Sequence, residues 1–193
     1  MKIIENVIPR NIQDDLERKV LDHRFPWHYL SSAVLGVQVN KDYLEKKREE
    51  FLNGEIVDTK LFFHNILVDS NPGPFFSWFT PLIDVIQYEG LSILRMNMNF
   101  SIPLFDISGS SWGVPHVDLP DETSYTTGVY YVTDADGDTI LFNEKYGYQG
   151  KLTIQKRIKP TKGTLILFDG NTLHAASPPR SNKPRIVVNI NIR

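Results

Sequence analysis

The segment Arg185–Arg193 alternates without interruption: Ile186, Val188, Ile190 and Ile192 fall on one face of a strand, and Arg185, Val187, Asn189 and Asn191 on the other. A period of two with so apolar a second face needs a half-buried strand, so the chain must supply a layer for the isoleucines to pack against. The same pattern places Arg185 at the opening of the strand, pointing into an enclosed space. A guanidinium taken out of water needs a compensating partner. That partner is either one of the chain's own acids or an external carboxylate, which the planar fork of arginine grips through two parallel hydrogen bonds.

This strand is the last of many. After Gly90 the sequence is a succession of short segments rich in Val, Ile, Tyr and Thr, punctuated by Gly, Pro and Asp, as a jelly roll requires. Before Gly90 the pattern is more helical. Asn11 is expected to cap a helix running to about Arg24, with Ile12, Leu16 and Val20 on one stripe and Asp14 and Asp15 in the positive first turn. A second helix is expected from Lys41 to Leu52, stopped by Asn53-Gly54, with its charge run Glu45-Lys46-Lys47-Arg48-Glu49-Glu50 solvated. Leu61 to Val68 reads as a strand, and Pro74 to Tyr88 as an apolar helix whose Phe75, Phe76, Phe79, Leu82, Ile83 and Ile86 form core rather than a cofactor box. The expected fold class is α+β, mainly β, with the N-terminal helices packed on the larger sheet. No repeat, low-complexity tract or linker divides the 193 residues. They read as one domain, with 1–90 as support and 91–193 as the jelly-roll core.

Within that core, His116 and Asp118 stand two residues apart, so on a strand they point the same way while Val117 turns into the opposite layer. Two imidazoles and one carboxylate on one face of a non-haem Fe(II) ion leave three coordination positions open. His174, in Leu167-Phe168-Asp169-Gly170-Asn171-Thr172-Leu173-His174-Ala175, is separated from the pair by enough chain for several antiparallel strands to bring it back as a third donor. An H-x-D pair alone is common in strand edges and turns. The distal histidine and the arginine that follows it are what raise this pair above that background.

Together, H-x-D, the distal His174 and Arg185 resemble the Fe(II)- and 2-oxoglutarate-dependent dioxygenases, closest to the prolyl 4-hydroxylase-like branch. The resemblance extends through Thr127-Gly128-Val129-Tyr130-Tyr131-Val132-Thr133-Asp134, Gly137-Asp138-Thr139-Ile140-Leu141-Phe142 and Lys162-Gly163-Thr164-Leu165-Ile166-Leu167-Phe168-Asp169, and it covers roughly residues 91 to 193. It implies a double-stranded β-helix in which His116, Asp118 and His174 bind iron and Arg185 pairs with the distal carboxylate of 2-oxoglutarate. Tyr131 matches a tyrosine that donates to the same carboxylate, although adjacent Tyr130 and Tyr131 cannot both face inward. Asn97 and Asn99, which share a face with Arg95, match polar positions that touch cosubstrate or substrate. The implied reaction uses molecular oxygen, converts 2-oxoglutarate to succinate and carbon dioxide, and hydroxylates a peptidyl or free amino acid or another small molecule. Asp138 in place of a second glycine, a longer step from His174 to Arg185, and Pro178-Pro179 in the intervening turn depart from the family pattern without removing a ligand.

Composition narrows the alternatives. A net charge of −2 and a pI near 6.2 give no general attraction for nucleic acid, which counts against a nucleobase dealkylase of the same superfamily. The chain has no cysteine, so disulfides, thiolate metal sites and cysteine nucleophiles are excluded. Met1-Lys2-Ile3-Ile4-Glu5-Asn6 has neither the apolar run of a secretory signal nor that of a membrane span, and a cytoplasmic protein is expected. A cupin-like binding module would keep the barrel but would have no use for Arg185 after the distal histidine. His23, His28 and His64 read as structural or surface residues, with His64 a possible pocket wall.

Overall fold

The structure is a computed structural model that describes residues 1–31, 49, 56–57, 59–88, 90–105, 111–120, 122 and 124–193. Among the described residues eleven strands form two sheets: β1 (Lys2–Ile4), β2 (His28–Leu30), β3 (Leu61–Val68), β4 (Asn71–Pro72), β5 (Ile93–Ser101), β6 (Thr126–Tyr131), β7 (Thr139–Lys145), β8 (Ile154–Ile158), β9 (Leu165–Asp169), β10 (Thr172–Ala176) and β11 (Arg185–Ile192). The larger sheet runs β1-β9-β6-β11-β5-β3-β2, with β4 paired to β3, and the smaller runs β10-β7-β8. Every strand ladder is antiparallel. The two sheets face each other as a double-stranded β-helix, which is the expected architecture.

Strand periodicity divides the apolar residues among three layers. On β11, Ile186, Val188, Ile190 and Ile192 join Met96 and Met98 of β5, Tyr130 of β6, and Leu16, Val20, Phe79, Leu82, Ile83 and Ile86 of the helices in the outer core of the larger sheet. The alternate positions Val129, Tyr131, Ile166, Phe168 and Val187 meet Leu141 and Ile158 of the smaller sheet in the space between the sheets. Ile140, Phe142, Leu173 and Ala175 point outward from the smaller sheet, where Ile56, Trp112, Val114 and Val117 cover them. Each strand that contributes to two layers thereby has its register fixed, because a one-residue slip would exchange its faces.

Helix α1 spans Arg10–Val20, beginning earlier and ending sooner than the sequence pattern indicates. Pro9, not Asn11, occupies the N-cap with φ −55°, and its carbonyl accepts hydrogen bonds from the amides of Ile12 and Gln13. Asn11 therefore lies inside the first turn. Asp14 and Asp15 lie beyond that turn and are matched instead by side chains: Arg10 and Lys162 for Asp14, Arg18 and Lys19 for Asp15. The helix stops at Val20 because Asp22 bonds the Arg24 amide at 2.9 Å, a local turn that competes with helix continuation. The expected second helix, Lys41 to Leu52, lies outside the described residues except for helical Glu49. The third divides into a 3-10 turn, Phe76–Phe79, and α2, Thr80–Tyr88. Pro81 has no amide to continue a ladder, and its fixed φ suits the first turn of α2. Leu61–Val68 forms a strand as expected. No described helix is long and apolar enough to cross a membrane.

The helical layer is tied to the sheet at Lys162-Gly163. The Lys162 ammonium, 7% exposed, is held between Asp14, at 2.5 Å, and Glu17 of α1. Gly163 has φ +81°, donates to the Tyr131 carbonyl and accepts from the Val7 amide. A β-carbon at Gly163 would collide with the Gln13 side chain, which is itself buried and bonded to the Ile8 carbonyl at 2.8 Å. Gly163→Ala combines a left-handed backbone with overpacking and is expected to lower unfolding free energy by about 1–3 kcal/mol. A fall in the urea midpoint with an unchanged slope would show this.

Candidate metal centre

The two histidines are brought together by backbone pairing. His116 forms an isolated antiparallel bridge to His174: its amide donates to the His174 carbonyl at 2.9 Å, and the His174 amide donates back at 3.0 Å. The directly opposed side chains leave the sheet on the same face, and the imidazole centroids lie 4.6 Å apart. Two residues on, Asp118 follows His116 onto that face, while Val117 turns away into the outer apolar layer. The three side chains can each offer one donor atom, and these atoms lie within 4.8 Å of one another.

Each donor is oriented by a second contact. His116 Nδ1 is 2.8 Å from the Val114 carbonyl and His174 Nδ1 is 3.1 Å from the Thr172 carbonyl. A carbonyl can only accept, so each Nδ1 carries a proton and Nε2 is the ring atom that can offer a lone pair. Those Nε2 atoms lie 3.8 and 3.7 Å from Asp118 Oδ1. The other carboxylate oxygen, Oδ2, accepts from Asn191 Nδ2 at 2.9 Å. The Asn191 carboxamide thus occupies Oδ2 and leaves Oδ1 facing the imidazoles. Two imidazole nitrogens and one carboxylate oxygen, converging on one space, are a donor set that suits Fe(II) with open positions.

The electrostatics prepare the same state. Burial and the neighbouring His174 lower the His116 pKa to about 4, leaving the ring neutral at physiological pH. Burial alone would raise the Asp118 carboxyl, but His174, His116 and the Arg95 guanidinium overcome it and hold the group well below the usual carboxylate range.

Arg185 is buried among dipoles rather than paired with an acid. Its Nε donates to the Gly137 carbonyl and its Nη2 to Thr139 Oγ1, both at 2.8 Å, and no described carboxylate forms a salt bridge with it. Burial pushes its pKa down, opposed by Tyr131 and Asp138. Tyr131 points into the same space and donates its hydroxyl to Thr139 Oγ1 at 2.8 Å. Both tyrosines are buried, on opposite faces: Tyr131 between the sheets and Tyr130 beneath the helices. Thr139 lies opposite Ala176 on the β7/β10 ladder, and Leu141 lies opposite His174. The arginine's anchor is therefore one two-residue step, about 7 Å, from the distal histidine along the ladder.

Asn97 and Asn99 belong to the neighbouring strand. Asn97 Oδ1 accepts from Arg95 Nε and Nη2 at 3.3 and 3.1 Å, and Asn97 Nδ2 donates to Asn99 Oδ1 at 3.1 Å. Arg95 also reaches the Asp118 carbonyl at 3.5 Å. His64 is elsewhere: it packs against Phe25 and Phe75, with Nδ1 on the Pro26 carbonyl. His23 is exposed beside Asp22, and His28 is on the exposed edge strand β2. Sequence reasoning gave no role to Thr139 or Asn191. The signal for Asn191 was its place on the face of β11 that carries Arg185; Thr139 had only its place in the strand after Gly137.

Residues 108–193 match the sequence profile of the 2OG-Fe(II) oxygenase superfamily. The protein carries His116, Asp118, His174 and Arg185 within that match, which spans less than half of its residues. It is a 2-oxoglutarate-dependent dioxygenase whose cofactors are Fe(II), 2-oxoglutarate and molecular oxygen. No curated protein matches the sequence significantly. Among solved structures, the non-haem α-ketoglutarate-dependent epimerase SnoN from nogalamycin biosynthesis superposes with TM-score 0.61 at 11% identity, over 99% of this chain and 76% of that one. HygX from Streptomyces hygroscopicus, solved with nickel and 2-oxoglutarate, gives 0.59 at 11% identity, over 98% and 81%. A 2OG-Fe(II) oxygenase family oxidoreductase from Burkholderia pseudomallei gives 0.51 at 14% identity, over 93% and 90%. At these identities the likeness is one of fold.

Two outcomes test this geometry. Because the folded pKa of His116 lies below the ordinary 6.5, the unfolded chain takes up its proton first as pH falls. The metal-free protein should lose stability between about pH 6.5 and 4, and His116→Gln should flatten that part of a urea-midpoint profile. At Gly137 a β-carbon would come within 2.5 Å of the Ser177 carbonyl and 2.9 Å of the Pro179 nitrogen, so backbone must move. Gly137→Ala is expected to displace the carbonyl that holds Arg185 and to weaken 2-oxoglutarate binding about tenfold in calorimetry, with less effect on metal affinity.

Proposed function

We propose that the chain hydroxylates a peptidyl or free amino acid or another small molecule, in the manner of the prolyl 4-hydroxylase-like branch, with residues 91–193 as its catalytic core. In this reading His116, Asp118 and His174 hold Fe(II), Arg185 and Tyr131 hold the distal carboxylate of 2-oxoglutarate, and Asn97 and Asn99 line the floor beside it. The observation that carries the reading is the buried guanidinium without a described acid partner, one strand step from three converging metal donors.

When bound, iron, 2-oxoglutarate and oxygen supply the oxidising chemistry, with succinate and carbon dioxide released. The protein's contribution is position and environment. The Val114 and Thr172 carbonyls hold the Nδ1 protons and keep both Nε2 atoms available. Asn191 occupies one Asp118 oxygen, so His116, His174 and the other Asp118 oxygen would hold the metal through three protein donors. Arg185, held by Gly137 and Thr139, presents its remaining donors to a carboxylate that would replace the missing counter-charge. Val129, Leu141, Ile166, Phe168 and Val187 exclude water from the inner end of this space.

Anaerobic titration of the metal-free protein with Fe(II) and then 2-oxoglutarate is the direct experiment. A saturable visible charge-transfer band, abolished in His116→Ala and accompanied by oxygen-dependent succinate formation, is expected. Arg185→Ala should weaken 2-oxoglutarate about 10- to 100-fold, the worth of a charged hydrogen-bonded contact, while Fe(II) affinity is retained. Unchanged succinate formation in folded His174→Ala would overturn the ligand assignment.

A further inference from the structure

Among the described residues the smaller sheet has three strands and the larger eight, so the metal-facing side of the larger sheet continues past the smaller sheet to β5, β3 and β2. Strand register maps that extension. Asn65 of β3, Asn97 of β5 and Asn189 of β11 form one cross-strand row. One step along, Phe63 lies opposite Asn99, which lies opposite Val187. In an antiparallel sheet such partners share a face, and this is the face on which Asn191 holds Asp118.

These amides differ in how they are used. Asn97 is buried and spent on Arg95 and Asn99. The Asn65 and Asn189 side chains and the Asn99 Nδ2 make no hydrogen bond to any described residue. Asn65 is exposed, whereas Asn99, Asn189 and Phe63 are half-buried. Three unspent amides and one phenyl ring therefore surround Asn97 in a patch about 10 Å across the strands and about 7 Å along them.

Resting on the function proposed above, we infer that this patch is the floor of the substrate site and that its occupant is an uncharged, polyhydroxylated ring, a monosaccharide unit free or carried on a larger molecule. Each hydroxyl both donates and accepts, as each carboxamide does, so the two groups satisfy one another without a charge on either side. The C–H face of such a ring packs on an aromatic face, which Phe63 supplies next to Asn65 and Asn99. The charge pattern discriminates further. Arg95 is committed to Asn97 and to the Asp118 carbonyl, and no other charged side chain lies on this face of β3 and β5, so neither phosphate nor ammonium finds a partner there. An extended peptide needs alternate positions along one strand. Here the unspent amides lie across three strands in a compact patch the size of a single ring.

The test uses the full chain loaded anaerobically with Fe(II) and 2-oxoglutarate. Methyl glucoside, galactoside and mannoside, an acetyl-Gly-Pro-Gly amide peptide and thymidine are each titrated by calorimetry and by their effect on the charge-transfer band. At least one methyl glycoside is expected to bind and shift the band. Asn189→Leu and, independently, Phe63→Ala are expected to weaken that binding about tenfold, the scale of one neutral contact, without altering the band formed by Fe(II) and 2-oxoglutarate alone. Binding by the peptide or thymidine in place of the glycosides, binding by none of them, or glycoside affinity unchanged in both variants would overturn the inference. Absence of the band would overturn the proposed function instead. Glycoside calorimetry on the metal-free chain and the two variants reads the patch independently of that outcome.

Discussion

Everything at the centre depends on a pair of backbone hydrogen bonds. The reciprocal bridge between His116 and His174 joins two segments remote in sequence and sets both imidazoles on one face at the correct separation. Asp118 then needs no anchor of its own to arrive, because the strand alternation that places Val117 in the outer apolar layer turns the carboxylate inward. Side-chain contacts refine what this bridge establishes: two backbone carbonyls select the imidazole tautomer, and Asn191 selects the carboxylate oxygen. A constraint in the main chain is well suited to the task, since side chains alone would lose rotamer entropy in holding three donors together.

Burying this much polarity in a barrel of this size is tolerated because almost every group has a partner. The Asp118 carboxylate has Asn191 on one oxygen and cationic or polar neighbours around the other. Arg185 has a carbonyl and a hydroxyl but no described acid, so its charge is solvated without being neutralised. An internal salt bridge would have stabilised the empty protein more and left less for a ligand carboxylate to gain. On the function proposed above, leaving the counter-charge out favours occupancy, at a cost carried by the surrounding apolar layers.

Much of this was legible in sequence because strands write their two faces as a period of two. The strand Leu61–Val68, the two-faced Arg185–Ile192 and the outward Val117 follow from that rule, which for Tyr130 and Tyr131 says only that one of the two faces inward. The helices were legible in kind but not in extent. Pro9 outcompeted Asn11 as the start of α1, and the Asp22–Arg24 turn ended the helix at Val20, the last residue of the apolar stripe, rather than near Arg24. Thr139 was invisible as a site residue because its role depends on two partners, Tyr131 and Arg185, that meet only across strands. Asn191 was hidden for the same reason: alternation supplies its face, but not the carboxylate above it.

The unequal sheets complete the logic of the molecule. Among the described residues, where eight strands face three, the inner end of the interface is apolar and holds Tyr131, Leu141, Phe168 and Val187, while the strands beyond the smaller sheet carry asparagines. A sheet face that had only to be soluble would take Lys, Glu or Thr, whose charge or β-branching suits solvated strands. Asparagine is a poor strand former, and five of them on three adjacent strands, Asn65, Asn97, Asn99, Asn189 and Asn191, work against local propensity. Two of the five are spent on the internal network that positions Arg95 and Asp118. A local preference overridden repeatedly on one face, beside the only described cluster of three metal donors, agrees with the substrate floor inferred above.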